Sequence, residues 1–345
     1  MRAHRPRIRS ARRSEAASVW TAILVTVFLV AASCSGGGSS AKPSATPSRS
    51  PAASPSPKAS LDSGVIRIDP KTLDPKTVMP LDVPNDGAIA AGLGGVWVTS
   101  GRELIHLDPK SGRQVGTVDL EESGGSVAAG HALVWVIEGS AISGALHPTL
   151  IGVGPSTGEV SVRTPDQDRG LMGLVAGEEG LWATNTAEGT VMEFDSLTGK
   201  VRRTLRVDSW QSEQNIAAGF GAVWVVDRTN GVISGVSETT HKVGRFDLKA
   251  AVFGVAAGDD AIWVTDDVDG VLEKLPLDGS KAKTIALQPG AGPVAIGEGA
   301  VWVGSSQGDT LWRVDQDTLR VKTILLDGRP LDISVGEGAV WVLFQ

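Results

Sequence analysis

The sequence predicts an all-β chain: a seven-bladed β-propeller of four-stranded antiparallel blades, with the last blade closed by strands from the N-terminal end. Three observations predict it. Trp97, Trp135, Trp182, Trp224, Trp263, Trp302 and Trp341 recur at spacings of 38, 47, 42, 39, 39 and 39 residues. Each has a Gly five residues before it (Gly92, Gly130, Gly177, Gly219, Gly258, Gly297, Gly336) and an aliphatic residue eight before it (Ile89, Val127, Leu174, Ile216, Val255, Val294, Ile333). The intervening residues split into short alternating runs joined by Gly, Asp and Asn turns. A period near 40 built of four such runs is one propeller blade stacked on the next.

The chain opens on six Arg and one acid within residues 1–33, followed by the uncharged stretch 16–33 and then Cys34, the single Cys of the protein. A basic region, an apolar region and small residues before a cleavage point form a secretory signal. Val30-Ala31-Ala32-Ser33-Cys34 resembles a bacterial lipobox, with Ala31 where Leu is commoner, and the resemblance implies lipidation of Cys34 as the first mature residue. The alternative is an uncleaved anchor, for which 18 uncharged residues are barely long enough. Both readings put the rest of the chain on the outer side of a bacterial cytoplasmic membrane. Residues 34–60 are Gly, Ser, Ala and Pro with little to bury, which reads as a disordered tether.

Residues 61–345 are the propeller. In 294–325, VAIG, GAVWVGS, TLWRVD and KTILL read as four strands, turning at Glu298-Gly299, Gln307-Gly308 and Asp317-Thr318. Asn230-Gly231 and Asp269-Gly270 supply the positive φ that tight hairpins need. Third strands tend to end in a turn such as Asp108-Pro109-Lys110-Ser111-Gly112 or Asp195-Ser196-Leu197-Thr198-Gly199. Residues 65–81 read as a third and fourth strand with no first or second before them, and 331–345 as a first and second strand at which the sequence stops. Pairing the two halves closes the ring and removes exposed edges.

The segment 182–201, WATNTAEGTVMEFDSLTGKV, resembles the surface-layer and YncE-like (YVTN) propeller repeat, with Trp in the Tyr place. The GxGAVWV form of the last two repeats is similar to the virginiamycin B lyase group, whose members rely on a His paired with a Glu near a divalent ion. Propellers host unrelated activities, so these resemblances imply fold more than function.

Composition narrows the chemistry. One Cys excludes an intramolecular disulfide and a thiolate zinc site, and the acidic balance of −7 argues against nucleic acid as the main partner. Long connections at 138–149, 164–173 and 207–215 belong to neighbouring blades and share the face that carries second-to-third and fourth-to-first connections. Rigid scaffolds commonly carry function on such loops; variable decoration is the alternative. Trp210, between Asp208 and Gln211, is the aromatic expected to stack on a ligand or to cover a blade junction, and Arg169 and Arg228 complete the candidate ligand-binding set. His147 with Glu138 is the one pair on that face suited to acid–base chemistry, and no nucleophile elbow, zinc-protease or phosphate-loop motif is present. Asp266, Asp267 and Asp269 are hard oxygen donors of the kind Ca²⁺ takes, but their loop is shorter than an EF-hand loop and lacks its distal Glu, so a solvated acidic turn without metal is expected. No cofactor is expected, and the function expected is envelope binding or scaffolding of a protein, glycan or small molecule, with a lyase-like or hydrolytic enzyme as the alternative.

Overall fold

A computed structural model describes residues 63–83, 87–139, 148–164, 170–207, 216–248 and 251–345. These form 28 strands in seven four-stranded antiparallel sheets, and no helix occurs among the described residues. Blades are numbered 1 to 7 by their Trp, from Trp97 to Trp341. Blade 6 consists of Ala291–Gly297, Ala300–Ser305, Thr310–Asp315 and Val321–Leu325, matching the four runs read from the sequence with a longer first strand. In blade 7 the order is Pro75–Pro80, Gly64–Ile68, Ala339–Phe344, Pro330–Gly336, so the N-terminal strands do complete the C-terminal half-blade. The first strand of every blade meets the first strand of the next around the whole ring.

The repeated Trp residues are core. Six are fully buried and Trp224 nearly so, each packed against the apolar face of the following blade, as Trp263 is against Val301, Val303 and Trp312. The Gly five residues earlier is also the partner of the indole N–H in four blades. Trp97, Trp224, Trp302 and Trp341 donate to the carbonyls of Gly92, Gly219, Gly297 and Gly336 at 3.1–3.2 Å. The same position is where inner strands come closest: a Cβ on Gly130 would lie 2.3 Å from the Ala176 side chain. Any residue offers the carbonyl, and it is the close approach that requires Gly.

A second repeated position emerges in register. The residue across from each Trp on the third strand covers the ring. His106 stacks on Trp97 at 3.9 Å, while Lys274, Arg313 and Arg67 place cations 5.1, 5.9 and 5.8 Å from the Trp263, Trp302 and Trp341 rings. Glu193 lies across from Trp182, and Gly152 and Gly235 from Trp135 and Trp224.

Turns follow the sequence closely. Leu93-Gly94, Phe220-Gly221, Glu298-Gly299 and Glu337-Gly338 all have φ near +50 to +80°, the mirror-type hairpin turn joining first to second strands. In the third-to-fourth turns the Asp carboxylate accepts the Ser or Thr main-chain N–H three residues on, as in Asp108–Ser111 at 2.8 Å and Asp315–Thr318 at 2.9 Å. The Ser111 hydroxyl at Asp108, the Arg202 guanidinium at Asp195 and the Thr318 main-chain N–H at Asp315 lead the groups that favour the ionised form and hold these carboxyls below the usual range.

Candidate functional site

The face carrying second-to-third and fourth-to-first connections is rimmed by the residue three beyond each Trp: Ser100, Glu138, Asn185, Asp227, Asp266, Ser305 and Phe344. Six are polar, and five of those six are buried, because each second strand ends there and its turn leaves main-chain N–H groups to be satisfied. Asn185 accepts from the Glu188 N–H, Asp227 from the Asn230 N–H and Ser305 from the Gln307 N–H, at 3.1–3.2 Å. This rim position was not recognised as a set in the sequence, although it is polar in six repeats of seven.

Two of the residues singled out from sequence belong to this rim. Glu138, 1% exposed, accepts the Glu121 N–H at 2.9 Å and is ion-paired to Arg163, which also approaches Glu121 at 3.4 Å. Both carboxylate oxygens are thereby taken. Glu138 is thus held between a main-chain N–H and the Arg163 guanidinium, contacts that fasten blade 2. Asp266 accepts the N–H groups of Val268 and Asp269 through one oxygen, both at 2.9 Å, and that of Ala251 through the other at 3.1 Å.

The three carboxylates of this hairpin go separate ways. Asp266 is spent on the turn, Asp267 turns to the Arg228 guanidinium at 2.6 Å, and Asp269 points to solvent. No cluster of three or more metal-binding side chains occurs among the described residues. Arg228 bridges blades 4 and 5, with its guanidinium also 4.7 Å from the Phe253 ring. It is an inter-blade clasp on the candidate face, with its side chain 36% exposed. Burial and the Asp266 charge raise the Glu273 carboxyl on the same blade.

Cys34, His147, Arg169, Asp208, Trp210 and Gln211 lie outside the described residues. Their flanks are fixed. Connection 139–148 leaves blade 2 with the Gly139 N–H on the Ser123 carbonyl, 164–170 ends where the Gly170 carbonyl accepts the Thr186 N–H, and 207–215 begins with the Val207 N–H on Gly189. A fourth long connection, 81–88 between blades 7 and 1, went unnoticed in the sequence.

Of the remaining described His residues, His131 is exposed in a first-to-second turn, and His106 and His241 pack against neighbours. Burial lowers the pKa of His106, and His241 approaches Glu193 at 3.2 Å on the opposite face. That opposite face also holds a cavity of about 350 Å³ lined by Phe220, Asp260, Lys274, Leu277 and Lys283, in which Lys274 is tied to Asp260 at 2.7 Å.

The fold and its rim define a seven-bladed β-propeller closed by its N-terminal strands. Solved structures agree. One described as a streptogramin B lyase superposes with a TM-score of 0.64 at 17% identity, over 83% of this chain and 96% of that one. Virginiamycin B lyase from Staphylococcus aureus gives 0.61 at 16%, over 77% and 97%, and BamB from Moraxella catarrhalis 0.53 at 14%, over 82% and 92%. At these identities the likeness is one of fold. No protein-family model matches the sequence, and no curated protein matches it.

Proposed function

We propose that the chain is an exported, lipid-anchored binding module, held by Cys34 and the 34–60 tether, that captures a protein, glycan or small molecule on its long-loop face. We also read its repeat as a member of the surface-layer, YVTN type. One observation carries the binding reading. Long connections gather at 139–148, 164–170 and 207–215 on consecutive blades, with a fourth at 81–88 between blades 7 and 1, whereas Glu138, Asp227 and Asp266 on that face are committed to turns or ion pairs. Three of the four long connections thus lie along blades 2 to 4. To test this, 140–147 is replaced by a two-residue turn, keeping Glu138 on Arg163, and Trp210 is changed to Ala. Both variants of the full-length protein are expected to retain the wild-type Tm and to lose at least tenfold in capture of an envelope component. Unchanged capture refutes the site.

A lyase-like enzyme is the second reading, favoured by the two lyases among the structural neighbours. Streptogramin B turnover abolished by His147→Ala would establish it in place of the first.

A further inference from the structure

The charge of the propeller is segregated in a way its total conceals. Residues 61–345 hold 23 Lys and Arg against 38 Asp and Glu, a net of −15. The fourth strand of each blade is the outermost, and with the two residues before it forms that blade's outer wall. Across blades 3 to 6 this wall carries Lys200, Arg202, Arg203 and Arg206, then Lys242 and Arg245, then Lys281 and Lys283, then Arg320 and Lys322, against the single acid Asp247. All ten cations are exposed. The same positions in blades 7, 1 and 2 carry Lys76, Arg113 and Arg163 balanced by Asp74, Asp119 and Glu159. One arc of the wall is therefore +9 and the other neutral, on a body that is otherwise strongly acidic.

Ion pairing within the molecule does not use this charge up. Arg202 and Arg203 reach Glu193 and Asp195, and Arg245 reaches Asp247. Lys200, Lys242, Lys281, Lys283, Arg320 and Lys322 make no ion pair among the described residues. Six uncommitted cations on adjacent outer strands attract and organise anions.

We infer that the outer wall of blades 3 to 6 is a binding surface for a flexible linear polymer bearing phosphate along its length, a surface separate from the long-loop face. Shape selects this occupant. Four blades of seven span more than half of a convex ring, and a plane touches such a wall along one or two blades only, so a membrane leaves most of these cations unused. A flexible chain follows the curve and meets them all. The 34–60 tether is excluded because its three charges, Lys42, Arg49 and Lys58, are positive. A polyanion bound by about six cations releases counterions, and its affinity falls with salt at a log–log slope of about −4.

The test uses the full-length protein and end-labelled inorganic polyphosphate, read by fluorescence anisotropy. Binding is expected at about 50 mM salt and to weaken by about two orders of magnitude at about 200 mM. Changing Lys281, Lys283, Arg320 and Lys322 together to Gln should cut the slope to roughly −1.5 while Tm holds. Changing Lys71, Lys76, Lys110 and Arg113 to Gln should leave binding within twofold. Any one of four results overturns the inference: no binding at low salt, equal loss in both variants, full competition by orthophosphate at equal phosphate concentration, or tighter binding to phosphatidylglycerol vesicles than to polyphosphate. Concentration-dependent self-association at low salt that is lost in the first variant also overturns it, by assigning the wall to the acidic faces of a second copy. Capture through the long-loop face is measured separately and should be unaffected.

Discussion

The seam between blades 7 and 1 and the seam between blades 3 and 4 perform one task by different means. At the first, Asp332, Ser334 and Glu337 each accept one main-chain N–H of blade 1, from Ile89, Ala91 and Gly94, all at 2.9 Å. At the second, a single turn residue of blade 4, Glu238, is 2% exposed and accepts the N–H groups of Glu178 and Glu179 and the Trp182 indole N–H, at 2.9–3.3 Å. Gly177 lacks the Cβ that would collide with this carboxylate at 2.3 Å. One seam is distributed over three side chains, one donor each. The other gathers three donors, the buried Trp182 indole N–H and two part-buried main-chain N–H groups, on one buried carboxylate, beside the lesser contacts Glu178–Gly221 and Glu193–His241, so it should be most sensitive to that residue.

Removing residues 61–83 tests the distributed seam most severely. Blade 7 loses the strands Gly64–Ile68 and Pro75–Pro80, exposing the edge of Ala339–Phe344 and the apolar residues that Ile66 and Ile68 had covered, among them Leu326, Val340, Val342 and Phe344. Loss of cooperative unfolding and aggregation by light scattering are expected; a monomer with unchanged Tm contradicts the closure. Next in size, Glu238→Ala leaves the buried Trp182 indole N–H unmet and two part-buried main-chain N–H groups to water, and should destabilise by about 1–3 kcal/mol in urea titration, with Glu238→Gln recovering part of it. Equal stability of wild type and Glu238→Ala would mean that the seam is not concentrated.

The smallest expected effect is a pH dependence. Asp332 is half-buried against the channel, and desolvation pushes its carboxyl up to about 6 despite two main-chain N–H donors. A folded-state pKa above the unfolded one favours folding most below about pH 4, and this contribution is lost as pH rises through about 6. Asp332→Asn keeps an acceptor for the Ile89 N–H and cannot ionise. Its stability relative to wild type should grow by about 1–2 kcal/mol between pH 4.5 and 7.5, measured by chemical denaturation at each pH. A flat difference would remove Asp332 from the account.

The contrast also marks how far the sequence could be read. Blade number, strand order and closure were legible because Trp, Gly and turn residues recur at short fixed offsets, set by hairpins of nearly constant length. What lies across the Trp ring was not legible. His106 stands nine residues after Trp97, Lys274 eleven after Trp263, and Gly152 seventeen after Trp135, because the second-to-third connection varies. The Glu138–Arg163 pair was hidden for the same reason, since Arg163 sits two strands away beyond the longest connection. Charge segregation escaped notice because each outer strand contributes only two to four cations, and blades arrange them side by side at intervals of about 40 residues.

The position of the entering strand sets how the ring bears load. A pull on the chain ahead of Ser63 acts first on Gly64–Ile68, which is hydrogen-bonded along both edges, to Pro75–Pro80 on one side and Ala339–Phe344 on the other. Tension along that strand is shared by two ladders in shear. Had the chain entered through the outermost strand, the same tension would act on a single ladder and could peel it open one bond at a time.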